Sequence, residues 1–94
     1  MALNFEWDAA KAAANLRKHG VAFDEACSVF ADPLSRTIRD PMHSVGERRF
    51  VLLGRSGAGR LLVLVHTERG ATIRLISARP ATRHERKSYE ENDD

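Results

Sequence analysis

The stretch LLVLVHTERGATIRLISARPATRHERKSYE, residues 61–90, decides the fold class. Leu61 to Val65 is aliphatic without a break, which suits a central strand covered on both faces. Glu68, Arg69 and Gly70 make a turn, and ATIRLISAR (71–79) resumes as a strand whose apolar Ile73, Leu75 and Ile76 enclose Arg74. Thr82 followed three residues later by Glu85 has the spacing of a capping box, so a helix starts there. Tyr89 lies four residues beyond Glu85; spacing alone leaves open whether it packs on the sheet or reaches its basic face. A tight strand pair followed by a helix predicts an α+β chain.

Working outward, RSGAGR (55–60) is a glycine-containing hairpin turn, and ERRFVLLG (47–54) is the strand before it. The turn has the glycines of a phosphate loop but lacks its Lys-Ser/Thr ending and sits between strands. DPMHSVG (40–46) reads as a loop, and SRTIRD (35–40) as a further strand. Near the N-terminus, NFEW (4–7) alternates Phe5 and Trp7 with polar neighbours, the pattern of a short edge strand. Asp8 can cap a helix from Ala9 to about His19, and Gly20 stands where a left-handed residue ends it, with Val21 set to pack on Leu16. Phe23, Ala26, Cys27 and Phe30 recur at helical spacing, and Pro33 stops that second helix. Cys27 belongs to the apolar stripe and reads as an inert, buried thiol. The predicted fold is therefore a short N-terminal strand, two helices, an antiparallel sheet meander and a C-terminal helix. All of it forms a single domain over residues 1–94, with 90–94 a frayed acidic end.

Composition bounds the function. Ninety-four residues, 43% hydrophobic and 30% charged, suffice for one modest core. The single cysteine excludes an intrachain disulfide and fits a reducing compartment. The N-terminal residues have no apolar leader, and the longest aliphatic run is far short of the ~20 residues of a membrane span. A cytoplasmic protein without a membrane role is expected. The net charge of +2 hides an uneven distribution. Residues 47–89 hold ten Lys/Arg against three Asp/Glu, while residues 90–94 hold four acids. The basic block contains most of the strand sequence and the last helix, so its natural partner is a polyanion.

The order of KHGV with Phe23 and Ala26, then His43 with GE (46–47), RF (49–50) and Gly54, then GRLLVLVHTERG (59–70), TIRLISAR (72–79), Ala81-Thr82, Glu85-Arg86 and YEE (89–91) resembles the BrnT family of bacterial type II toxins. The resemblance runs over nearly the whole chain. It implies a RelE-like fold and a small ribonuclease that arrests translation by degrading RNA. It also implies a neutralising BrnA-like antitoxin with a ribbon-helix-helix part, so that operator DNA is bound only through the toxin–antitoxin complex.

Metal-independent RNA cleavage needs a base for the 2′-hydroxyl, charge stabilisation at the pentavalent phosphorus and an acid for the leaving 5′-oxygen. Glu47 and Arg49, two apart on one predicted strand, would share a face and supply a carboxylate beside a guanidinium. Arg79 is the strand-end phosphate ligand and Arg74 its alternative; their odd spacing puts them on opposite faces of a regular strand unless a bulge near Ser77–Pro80 intervenes. His19 beside Lys18 at a helix end is a proton donor, since imidazoles titrate near neutrality; His66 and His43 are its rivals. Arg83, Arg86 and Lys87 extend the RNA-binding charge. No Cys, His or carboxylate cluster has metal-ligand spacing, and no cofactor is expected. The competing class is a noncatalytic nucleic-acid-binding or antitoxin-binding module, which would share the basic block.

Overall fold

A computed structural model describes residues 3–38 and 48–91. Asp8 starts α1 (Ala9–His19) by accepting the Lys11 amide hydrogen at 3.0 Å, one of the first-turn donors that the helix cannot satisfy internally. Gly20, at φ 70°, ends the helix in the left-handed region and donates its N–H to the Leu16 carbonyl at 2.9 Å. That single bond is the αL form of helix ending. Val21 goes fully into the core, whereas Leu16 stays half exposed. α2 (Phe23–Cys27) continues into a 3-10 turn, Ser28–Ala31, and ends before Pro33.

Five strands follow from the pattern: β1 (Asn4–Glu6), β2 (Arg36–Ile38), β3 (Phe50–Arg55), β4 (Leu61–Arg69) and β5 (Thr72–Pro80). They lie in the order β1-β5-β4-β3-β2. The meander from β2 to β5 is antiparallel, as the short turns after β3 and β4 require of their strand pairs, while β1 joins β5 in parallel, so the sheet is mixed. β3 starts at Phe50, later than the predicted segment; Glu47 and His43 lie outside the described residues.

Both faces of β4 are covered. Leu62 and Leu64 face the α1–α2 layer with Val21, Phe23, Ala26, Val29, Leu52, Leu75 and Ala78. Leu61 and Val63 face the other way with Val51, Leu53 and Tyr89 of α3 (Arg83–Glu90). Each fully buried leucine contributes about 1.5–3 kcal/mol, so the continuous aliphatic run is explained by two half-cores meeting on one strand. Gly54 faces the α1–α2 side opposite Leu62; a Cβ there would come within 2.8 Å of both the Ser35 Cβ and Val29 Cγ1.

Asn15 does what the missing length of β1 would have done. β1 pairs only with Thr72–Arg74, which leaves the outer edge of β5 beyond Arg74 without a strand neighbour among the described residues. Buried Asn15 reaches that edge from α1. Its amide nitrogen donates to the Ala78 carbonyl at 2.8 Å and to the Val21 carbonyl at 3.0 Å, and its amide oxygen accepts the Ala78 N–H at 3.1 Å. All three bonds are made in the interior, where an unpaired polar group is expensive.

Candidate nucleic-acid interface and active face

The basic face is assembled by an irregularity in β5. Val65 pairs with Ser77, but the next residue of β4, His66, pairs with Leu75, so Ile76 is an extra residue. That bulge cancels the odd spacing of the two arginines. Arg79 stands opposite Val63 and Arg74 opposite Thr67, and Val63 and Thr67 share the α3 side of β4. Arg74, Ser77 and Arg79 therefore share one face. The sequence left open whether an irregularity at Ser77–Pro80 would bring the two arginines together; the bulge forms one residue before that segment and puts them on one face.

The two guanidinium groups are held differently. Arg79 forms a two-pronged pair with Glu85, Nη1 to Oε1 and Nη2 to Oε2, each at 2.8 Å, and Nη1 also donates to the Pro80 carbonyl at 3.3 Å. The Arg79 guanidinium, aided by the Thr82 amide, holds the Glu85 carboxyl down to about 2 against the opposing effect of burial, and Glu85 raises Arg79 in return. Glu85 also closes the capping box: its Oε1 accepts the Thr82 N–H at 2.8 Å while the Thr82 hydroxyl accepts the Glu85 N–H at 3.2 Å. Among the described residues Arg74 makes a single bond, Nη1 to Glu6 Oε2 at 3.0 Å, with both side chains well exposed.

A row of polar residues crosses the sheet at this level. Glu6 pairs with Arg74, and Arg74 with Thr67. The last ladder pair of β3 is Phe50 with His66, and exposed Arg49 comes one residue before it in the chain. Thr67 is only 1% exposed, and its hydroxyl has no hydrogen-bond partner among the described residues.

α3 closes one end of the face. Tyr89 donates to Asp32 Oδ2 at 2.7 Å under the Arg55 guanidinium, and Arg36 donates to the Ser88 carbonyl at 3.3 Å. The outer side of α3 is basic: Arg83, His84, Arg86 and Lys87, with Glu90, line a shallow groove of about 590 Å³. Among the described residues Arg83, Arg86 and Lys87 have no acidic partner.

Lys18 and His19 are not brought to the arginine face. α1 packs on the Leu62, Leu64 and Ala78 side of the sheet, opposite in parity to Arg74 and Arg79. They stand at the sheet end where Arg79 lies, because Asn15 ties α1 to Ala78 and Arg60 donates to the Gly20 carbonyl at 3.0 Å. His66 also faces the α1–α2 side, 2% exposed, stacked on Phe50 and edge-on to Phe30. Burial lowers its pKa against the pull of Glu68, whose carboxylate lies 3.1 Å from Nε2. Cys27 is half buried, and burial pushes its thiol up to about 11, as an inert thiol requires.

Sequence reasoning missed Glu6 and Thr67 as members of the face. Neither carries a local signal, since both join it only through cross-strand register. Among the described residues no group of three His, Cys, Asp or Glu side chains is placed to hold a metal, and no helix is long and apolar enough to cross a membrane.

No curated protein matches the chain by sequence. The crystal structure of the Brucella abortus ribonuclease toxin, BrnT, superposes with a TM-score of 0.67 at 18% identity, covering 87% of this chain and all of that one. The family model of the ribonuclease toxin BrnT of type II toxin-antitoxin systems matches residues 7–85. That span holds α1, α2, β2 to β5 and Arg49, Arg74 and Arg79, and the chain belongs to the BrnT family of ribonuclease toxins of type II toxin-antitoxin systems.

Proposed function

We propose that the chain is a metal-independent endoribonuclease that cleaves RNA, inhibits translation and is neutralised by a BrnA-like ribbon-helix-helix antitoxin, through which alone it reaches operator DNA. The reading rests on one observation: the Ile76 bulge sets Arg74 and Arg79, from an odd spacing, on a single face of the sheet. Guanidinium groups bind phosphate oxygens in pairs, and on a partly desolvated sheet they stabilise the charge that builds on a pentavalent phosphorus. In this mechanism the 2′-hydroxyl loses its proton to Glu47 and attacks phosphorus. The P–O5′ bond then breaks, and the leaving oxygen takes a proton to give a 2′,3′-cyclic phosphate and a free 5′-hydroxyl. Arg49 and Arg74 hold the phosphoryl oxygens, and Arg79 takes a phosphate of the same strand when that phosphate competes with Glu85. Glu85 itself is too weak a base at a pKa of about 2, so its part is to order Arg79. Arg83, Arg86 and Lys87 guide the strand along α3. Lys18 and His19, on the other layer, add charge at the sheet end, and a proton from His19 requires the RNA to wrap that end.

The test is incubation of the purified chain with RNA in excess chelator, beside expression with and without the neighbouring gene. Chelator-resistant cleavage and growth arrest relieved by the neighbour are expected; intact RNA at stoichiometric protein overturns the enzyme. A noncatalytic RNA-binding module is the second reading, favoured by the closure of Arg79 on Glu85. It predicts salt-sensitive binding without strand scission.

A further inference from the structure

We propose that Arg74 and Thr67 form a phosphate subsite of their own, distinct from the one at Arg79, which binds a second phosphate of the same RNA strand. The inference rests on the RNA-cleaving reading and refines where the strand lies.

Three observations carry it. The first is distance along the sheet. Arg79 and Arg74 stand opposite Val63 and Thr67, four residues apart on β4, which is ~13 Å of strand. Neighbouring phosphates on one strand are much closer than that, so the two positions suit two phosphates separated by more than one nucleotide better than one shared phosphate.

The second is donor count. A guanidinium carries five N–H donors. Arg79 directs both terminal nitrogens at Glu85 and one of them also at Pro80. Among the described residues Arg74 gives a hydrogen to Glu6 alone, so it can bind a phosphate without releasing that carboxylate.

The third is the Thr67 hydroxyl. It is buried, lacks a partner among the described residues and is the cross-strand neighbour of Arg74. Directly paired residues in a sheet bring their Cβ atoms to ~5 Å, so an oxygen held by Arg74 is within reach of a hydroxyl beside it once the long arginine side chain lifts. A buried hydroxyl without a partner is a destabilising feature that folding alone gives no reason to keep. A phosphate oxygen supplies the missing acceptor. Glu6, at the far end of the row, holds Arg74 extended across β1 when the subsite is empty.

The experiment is a chimeric cycle. A short single-stranded RNA with 2′-O-methyl riboses, which cannot be cleaved, is prepared with each phosphate in turn replaced by a neutral methylphosphonate. Its affinity is measured for the wild type, Thr67→Val, Arg74→Gln and Arg79→Gln. Thr67→Val removes the orphan hydroxyl with little change of shape, so it folds at least as stably as the wild type. It should nevertheless weaken binding of the all-phosphate strand by about tenfold, the scale of one hydrogen bond to a charged oxygen. That loss should vanish at one linkage only, the same linkage for Thr67→Val and Arg74→Gln and a different one for Arg79→Gln.

Thr67→Val binding like the wild type, or a loss independent of which linkage is neutral, overturns the subsite. So does coupling of all three variants to one linkage. If the wild type cleaves natural RNA while these outcomes appear, the ribonuclease reading stands and only the subsite falls. If the wild type neither binds nor cleaves RNA, both fall together.

Discussion

Replacing Glu85 by glutamine should remove a pH-dependent share of the stability while leaving α3 capped. A glutamine amide oxygen can still accept the Thr82 N–H, so the capping box survives and only the charge pair with Arg79 is lost. Glu85 is held at about 2 from an ordinary 4.5, a depression worth about 3 kcal/mol at about 1.4 kcal/mol per unit. Its side chain is 20% exposed and that of Arg79 is 38% exposed, so solvent screening reduces the share to about 1–2 kcal/mol. The sign follows from the direction of the shift. Because the folded carboxyl is more acidic than the unfolded one, the stabilisation is fully present above about 4.5. It is lost as pH falls towards about 2. The assay is urea unfolding of wild type and Glu85→Gln at intervals from pH 7 to pH 2. The wild type should be more stable by that amount near neutrality, equivalent to about 4–8 °C in melting temperature per kcal/mol, and the two curves should meet at the acid end. Asp8, Glu25 and Asp32, which are also depressed, remain in both proteins and cancel in the difference. A gap that stays constant across the whole range, or no gap at pH 7, would refute the ion-pair account and leave Glu85 as a cap alone.

Asn15→Ala strands the buried amide and carbonyl of Ala78 and should cost about 2–3 kcal/mol, seen as a lower urea midpoint and faster hydrogen exchange at the Ala78 amide. Gly54→Ala drives a methyl into Ser35 and Val29 and should cost about 1–3 kcal/mol; an unchanged melting temperature would show that the 3-10 turn yields instead. Tyr89→Phe loses the bond to Asp32 and should lower stability by about 1 kcal/mol, with protection lost first in α3. Glu47→Gln and Arg49→Ala should each abolish RNA cleavage and growth arrest with an unchanged circular dichroism spectrum, and full toxicity in both would remove those residues from the mechanism.

Much of the fold is legible locally because its boundaries are set by short-range chemistry. Asp8 and Gly20 bracket α1, Thr82 and Glu85 start α3, and the unbroken run from Leu61 marks the doubly covered strand. The layout of the face is less legible. Ile76 becomes an extra residue without any glycine or proline to announce it, and whether Arg74 and Arg79 share a side depends on that one pairing. Lys18 and His19 are visible as a helix end, but the layer they occupy is decided by Asn15 bonding to a residue sixty-three positions away. Thr67 and Glu6 are ordinary strand residues until their neighbours across the sheet are known.

The amide of Asn15 has a further consequence for how these molecules meet one another. An uncovered strand margin is a template on which a passing chain can dock and grow an unwanted ribbon. By occupying the backbone of Ala78 from within its own helix, the protein withholds that template where its first strand is too short to reach. A chain lacking Asn15 should therefore do more than soften: at high concentration it should self-associate through the outer margin of β5.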